Sequence, residues 1–498
     1  MRLALVLGVI GRLLLVFSLA FLAPLAMATW DAFHEVGTWW ECAEFAIAAG
    51  ITLIGGLILR SFSGTAPDFR RAEALAVVAG SWFVVAHFAA IPYFFSGLGY
   101  VDAFFESMSG LTTTGATILQ DFSQYGRGFF LWRSMTQWFG GLGVIALFVV
   151  VLPQLGVAGR QIMFAEGSDA TADVISPSVR ESARRLWLLY VFLTLCEIML
   201  LHSVAGMTLY ESVCHAMTTM SAGGFSPNPA SIAGYANPAA EWILTVFMIL
   251  SGMSFPLIWI GLTRRPKEFL RDGEFRFYIL ALGTIATTLA VLLAGGLPGE
   301  ESLRTSLFQS ASLISSTGFA SVDYAQEPWT DGMRALLVVI MLVGGCAGSA
   351  AGGAKSIRAL LTLKFMWREF TRVLHPRGVI PLRHRGRAVP EEAMRAILNL
   401  VMCYVMTYLA VGVLLALIGN DLVVSFSASL ACVGNIGPGF GAVGPMENFA
   451  SLDPIARYIL TIGMWMGRLE LIAVLVLFHP HVLRSVRWGA SKASAKRA

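Results

Sequence analysis

The sequence predicts an all-α polytopic membrane protein: two leading transmembrane helices, then four repeats of span, re-entrant loop and span. Three observations carry that expectation. Only 13% of the 498 residues are charged and 56% are hydrophobic, whereas soluble domains carry about a quarter charged residues. Apolar runs of the ~20 residues a membrane helix needs recur along the whole chain. Between the later runs lie four shorter segments, each followed by a polar stretch bearing glycine.

The runs fall near 3–27, 40–59, 72–95, 129–152, 186–205, 239–263, 275–296, 333–361, 393–418 and 455–478. Their continuity suits helices, and the alternating pattern of outer-membrane strands is absent. The first run, MRLALVLGVIGRLLLVFSLAFLAPLAMA, closes on a small-x-small AMA like a leader cleavage site. Its apolar part exceeds the roughly 7–15 residues of a leader core, and a second span follows, so it reads as a retained helix.

Charge placement predicts the orientation. Most of the 35 lysines and arginines fall in segments that share one side with the N-terminus, clustered at 60–71, 160–185, 264–276, 355–395 and 484–497. Arg127, Arg133, Arg304, Arg334 and Arg457 fall on the other side. By the positive-inside rule both termini are cytoplasmic. The outer segments carry acids, among them Asp31, Glu35, Glu44, Asp102, Glu106, Glu300 and Glu301. An acidic mouth would raise the local cation concentration; acids tolerated outside for solubility would look the same. The six cysteines form no CxxC and sit mostly in apolar sequence, so they read as small hydrophobes rather than metal ligands.

The four short segments are VDAFFESMSGL (101–111), TLYESVCHAMTT (208–219), LRTSLFQSASLIS (303–315) and DLVVSFSASLA (421–431). Each is about a dozen residues, which as a helix spans about half a bilayer. TTTGAT, MSAGGFSP, SSTGFAS and VGNIGPGFG follow them. The first and third agree most closely: Phe105, Ser107 and Ser109 precede Gly115 as Phe308, Ser310 and Ser312 precede Gly318. Counted from Tyr210 and Phe426, the second and fourth are looser in register.

Irregular backbone survives at membrane depth only when buried or lining a water-filled cavity. Four re-entrant loops can converge on a pseudo-fourfold axis, where rings of carbonyls replace a cation's hydration shell. Glycine serves where consecutive carbonyls must point one way, and helix C-termini bring partial negative charge to the axis. Thr113, Thr114 and Gly115 thus read as one quarter of an ion filter.

At these motifs the chain resembles the bacterial Trk-type potassium uptake membrane subunit, of the superfamily that includes the Ktr and HKT proteins. The resemblance runs through SGLTTTGAT, WFGGLGVIALFVVVLP (138–153), SAGGFS (221–226), SSTGF (315–319), GGCAGSAAGGAKSIR (344–358) and GMWMGRLELI (463–472), and covers nearly the whole chain. It implies a filter glycine in each repeat, at Gly115, Gly224, Gly318 and Gly437. It also implies potassium coordination by the carbonyls of Thr113, Thr114, Ala222, Gly223, Ser316, Thr317, Asn435 and Ile436. The fourth repeat departs from the pattern, because Pro438 follows its glycine where repeats two and three have phenylalanine. The implied division is 1–67 for the leading helices, then repeats at 68–155, 156–265, 266–372 and 373–498.

Two features lie off the filter. Gly344, Gly345, Gly348, Gly352 and Gly353 interrupt an apolar stretch too long for one straight span. They suit either a close helix-packing face or a broken helix that obstructs the pore below the filter. The resemblance implies the latter, an intramembrane gate loop. Arg468 is a lone basic residue in a span, where charge is costly and usually faces water or a partner. It suits a structural pair with Glu470 or Glu197, or a positive barrier in the conduction path; the resemblance implies the barrier. His215 and Glu197 read as hydrogen-bonded structural residues rather than proton relays.

The expected function is potassium uptake across a bacterial inner membrane, gated from the cytoplasmic side. A proton- or sodium-coupled potassium symporter is the alternative, although inverted repeats and relay chains mark that class and these repeats run parallel. Nothing in the spans supplies the paired carboxylates or nucleophile–base pair of an enzyme. No cofactor is expected beyond K+ as the transported ion, and no nucleic-acid partner. The chain carries no nucleotide fingerprint, and its basic inner loops suit anionic lipid or a partner. The resemblance implies that partner to be a cytoplasmic ring of RCK-domain subunits that bind nucleotide, and it implies a homodimer.

Overall fold

Helices carry almost all the regular structure in the computed structural model, which describes residues 1–62, 70–146, 179–263, 266–484 and 486. Most of the basic clusters at 160–185 and 484–497, and residues 147–153 of the WFGG motif, lie outside the described residues. Among the described residues, six helices are long and apolar enough to cross a membrane, seven if a bent pair counts as one span. The chain divides into two compact units.

The first unit comprises residues 1–108, 123–133 and 469–498. It holds α1 (Leu3–Phe33), α2 (Trp39–Ser61) and α3 (Ala72–Phe95). Small residues let α1 and α2 approach closely: a Cβ on Gly11 would strike the α2 backbone at Gly56 and Arg60. Glu73, fully buried, takes hydrogen bonds from the Arg2 backbone and side chain and from the Arg70 N–H. The expected acidic mouth is largely committed to the fold here. Glu106 is ion-paired with Arg133 at 2.7 Å with both side chains buried, Asp31 pairs with Arg127, and Glu44 accepts from Ser96 at 2.7 Å.

The second unit comprises residues 109–122 and 134–468. The helix α4 (Tyr100–Leu111) enters it at its C-terminal end, and α5 (Arg127–Ala146) at its middle. Next come α6 (Val179–Ser203), α7 (Leu209–Met220), α8 (Pro238–Ser251), α9 (Phe255–Thr263), α10 (Gly273–Leu293), α11 (Gly299–Ile314), α12 (Asp331–Val343) and α13 (Ser356–Leu374). A hairpin, β1 (Arg383–His384) with β2 (Arg387–Ala388), precedes α14 (Glu391–Leu417), α15 (Leu422–Val433) and α16 (Pro454–Arg468). On α6, Leu188, Phe192, Leu195 and Met199 form an exposed stripe at helical spacing, while Leu189, Tyr190, Leu193 and Glu197 face inward. That is the pattern of a helix with one face in lipid.

Three expected spans are not straight helices. The stretch 239–263 bends by 101° between α8 and α9, where Gly252 ends one helix and Pro256 sits in the first turn of the next. Proline has no N–H to bond the Gly252 carbonyl four residues back, so the break has a local cause. The stretch 333–361 is interrupted between α12 and α13. Near 455–478, α16 ends at Arg468, so that residue is a helix terminus rather than a mid-span position.

Candidate functional site: a ring of four glycine loops

The four short segments form α4, α7, α11 and α15, and each ends four residues before its glycine. The uneven register counted from the aromatic residues disappears when it is counted from the helix ends. Side-chain caps fix the other end of two of them, and first-turn acids favour it in a third. Thr208 and Glu211 make a reciprocal capping box on α7, Asp421 accepts from the Val423 N–H on α15, and Glu300 and Glu301 occupy the first turn of α11.

The loops leave their helices in one way. The N–H of Thr114 bonds to the Ser109 carbonyl, Gly223 to Thr218, Thr317 to Ser312 and Ile436 to Ala431, each at 2.8 Å. The preceding residue is left-handed every time: Thr113 (φ 51°), Ala222 (57°), Ser316 (56°) and Asn435 (51°). This is a Schellman-type helix end with no glycine at its left-handed position, which costs roughly 1–2 kcal/mol at each. The strain is greatest at Thr113, whose branched Cβ makes positive φ a true outlier. The sequence had pointed to glycine alone for positive φ; the structure adds a second left-handed residue two positions earlier.

The glycines close a cycle. A Cβ on Gly115 would collide with the carbonyl oxygen of Gly223, one on Gly224 with that of Thr317, and one on Gly318 with that of Ile436. One on Gly437 would lie 2.6 Å from the carbonyl oxygen of Thr114. Each loop therefore presses on the next, first to second to third to fourth and back to first. Eight of the twelve residues expected at the filter make these contacts, and Thr113, Ala222, Ser316 and Asn435 are the left-handed residues that precede the carbonyls.

Side chains brace the ring. Thr112 and Thr114 pair their hydroxyls at 2.8 Å, as Ser315 and Thr317 do at 2.7 Å, so the first and third repeats match in contacts as well as spelling. Asn435 donates to the Thr114 hydroxyl at 3.0 Å and to the Met464 carbonyl at 2.9 Å. Gln137 on α5, which the sequence reading passed over, donates to the Gly223 carbonyl at 2.7 Å and accepts from the Phe225 N–H at 3.0 Å. It also occupies the space a Cβ on Gly223 would need. A polar residue one turn before the glycines of a span was the only signal for it.

The glycine-rich segment joins α12 to α13 as an irregular loop. Gly344, Gly348 and Gly353 have φ of 69°, 74° and 77°; Gly345 and Gly352 do not, but stand where a Cβ would meet Gly252 or Gly434 and Asn435. The loop and the α8–α9 bend satisfy one another. Cys346 donates its N–H to the Gly252 carbonyl at 2.8 Å, Ala350 to Ser251 at 3.3 Å, and Phe255 donates to the Gly348 carbonyl at 3.1 Å. Orphan groups at two helix breaks are thus paired without water. The loop also meets the ring, because the Gly352 N–H bonds the Ser316 hydroxyl at 2.6 Å.

Arg468 is buried and donates from Nη1 to the Ala350 carbonyl of this loop at 2.9 Å; its Nε and Nη2 have no hydrogen-bond partner among the described residues. Glu197 is not its ion-pair partner. That carboxylate is fully buried beside Thr219. His215 is hydrogen-bonded, through the Glu211 carbonyl at 2.8 Å and the Ser226 hydroxyl at 3.0 Å. Among the described residues no cluster of three or more His, Cys, Asp or Glu could hold a metal ion, and none of the six cysteines forms a disulfide.

Fold and site together define an all-α polytopic membrane protein built on four half-helix loops that close a ring. The family model described as "TrkH: Cation transport protein" matches residues 46–483. The chain belongs to the TrkH family, which is a family of transporters and not of enzymes. It is 36% identical over 422 residues to the Trk system potassium uptake protein TrkH of Salmonella typhimurium, covering 83% of this chain and 86% of that protein. It is 33% identical over 489 residues to the Trk system potassium uptake protein TrkH of Halomonas elongata, covering 96% and 99%. The crystal structure of the potassium transporter TrkH from Vibrio parahaemolyticus matches with a TM-score of 0.87 at 28% identity. It covers 97% of this chain and 100% of that chain.

Proposed function

We propose that this chain conducts potassium inward across a bacterial inner membrane, with the four-loop ring as its selectivity filter. The observation that carries the reading is the closed cycle of glycine-to-carbonyl contacts. Such a cycle brings backbone carbonyls from four repeats around one axis, and carbonyl rings substitute for the hydration of an alkali cation. The names of the relatives support potassium as the ion.

In this reading the repeats at 68–155, 156–265, 266–372 and 373–498 each contribute one quarter, after leading helices at 1–67. The loop 344–353 is the gate on the cytoplasmic side, since it bonds both the ring at Ser316 and Arg468. Arg468 adds fixed positive charge below the filter. Both termini are cytoplasmic, and the protein works as a homodimer with a nucleotide-binding RCK ring below it. Purified protein in liposomes tests the core of this reading. Downhill potassium flux without a pH or sodium gradient supports a channel-like pore. Flux that requires either gradient replaces it with a symporter.

A further inference from the structure

Glu274 lies in the first turn of α10, 3% exposed, and is absent from the filter and the barrier described above. Its Oε1 accepts the Ala347 N–H, inside the glycine-rich loop, at 2.6 Å. The carboxylate also lies beside the Ile357 backbone, at the start of α13. One side chain therefore ties the body of the loop to the first turn of α10. Lys355, left-handed at φ 71°, lies near the same carboxylate and donates its Nζ to the Ala351 carbonyl at 2.5 Å. The bond from Ala347 satisfies a buried backbone N–H of an irregular loop at membrane depth, where an unpaired donor is costly.

Two residues earlier, Asp272 caps α10 by accepting the Phe275 N–H at 2.8 Å. Asp272 is buried and ion-paired with Arg385, at the turn of the β1–β2 hairpin. The same helical turn thus holds the loop with one carboxylate and the hairpin with another. A shift of the hairpin that pulls on Asp272 moves the N-terminus of α10, and with it the anchor of the loop.

We propose that the first turn of α10 is a relay: Glu274 is a positioning residue that holds the loop 344–353 closed, and Arg385 acts on it through Asp272. This rests on the gate reading of that loop. It assigns the hairpin a regulatory role, as the part of the chain whose displacement opens the pore.

The test is potassium flux in liposomes for Glu274→Gln, Arg385→Ala and a loop-shortened variant, singly and combined, each checked for monodisperse folding and for its potassium-to-sodium ratio. Glutamine keeps one acceptor oxygen but replaces the other with an NH2 group, so it weakens the anchor while sparing the fold better than alanine. Glu274→Gln is expected to raise resting flux roughly tenfold, the shift that weakening of one buried hydrogen bond brings. Arg385→Ala is expected to raise it several-fold, and neither to change the ion ratio. In the loop-shortened background both should add nothing. If loop shortening alone leaves flux unchanged, the gate reading itself fails. If shortening raises flux but folded Glu274→Gln or Arg385→Ala does not, or if either adds fully to the shortened variant, the relay is overturned while the gate reading stands.

Discussion

Asn435 hydrogen-bonds the hydroxyl of Thr114 across 321 residues of sequence, joining the fourth loop to the first. The same amide donates to the Met464 carbonyl of α16. Asn435 holds left-handed backbone, which asparagine tolerates better than most residues. Asn435→Ala removes two buried hydrogen bonds, a loss of about 0.5–1.5 kcal/mol for each. Thermal unfolding in detergent should register that as a lower Tm, together with a lower potassium-to-sodium ratio in vesicles. A variant as stable and selective as the parent would show that the ring closes without this contact.

Gln137 is expected to matter as much for the second loop. Gln137→Glu replaces the donor to Gly223 with an oxygen facing an oxygen, so the carbonyl must turn or the loop must shift. Discrimination against sodium should fall more for Gln137→Glu than for Gln137→Ala, with the protein still folded. The reverse order would mean that Gln137 fills space and does not orient the carbonyl.

For Arg468, a unit charge ~5 Å from a cation interacts by about 3 kcal/mol at an effective dielectric near 20. That bounds the effect of removing it at about a hundredfold in passage rate. Arg468→Ala also releases the Ala350 carbonyl, so barrier and tether weaken together and flux rises. Arg468→Lys retains the charge and should change flux little. A destabilised, poorly conducting Arg468→Ala protein would identify the residue as structural support instead.

Much of this architecture was legible in the sequence, for identifiable reasons. Half-length apolar segments ending in glycine recur, and a glycine that must avoid a neighbouring carbonyl leaves a visible mark at Gly115, Gly224, Gly318 and Gly437. Left-handed backbone at Thr113, Ala222, Ser316 and Asn435 leaves no such mark, because helix-end hydrogen bonds impose it on whatever residue stands there. The bend at 252–254 was hidden for a related reason. Its unpaired carbonyls are satisfied by Cys346 and Ala350, far along the chain, so locally the stretch reads as one apolar span. Glu106 and Arg133 each looked like surface charge, and only their pairing shows that they are buried.

That pair gives a stability prediction independent of transport. Removing one partner of a buried ion pair strands the other, at a cost of about 3–5 kcal/mol. Arg133→Met and Glu106→Gln should each lower the Tm markedly, and the double variant less than their sum. Additive losses would mean that the two side chains do not act as a pair.

The central claim is that the four-glycine ring selects the ion, and relative potassium and sodium permeability of Gly115→Ser and Gly318→Ser in the same vesicles tests it most directly. In each, the new Cβ meets the carbonyl oxygen of the next loop, Gly223 or Ile436, so that carbonyl must turn away from its neighbours. The expected result is folded protein that still conducts, with sodium permeability raised towards that of potassium. Full potassium flux with unchanged selectivity in both variants would contradict the account.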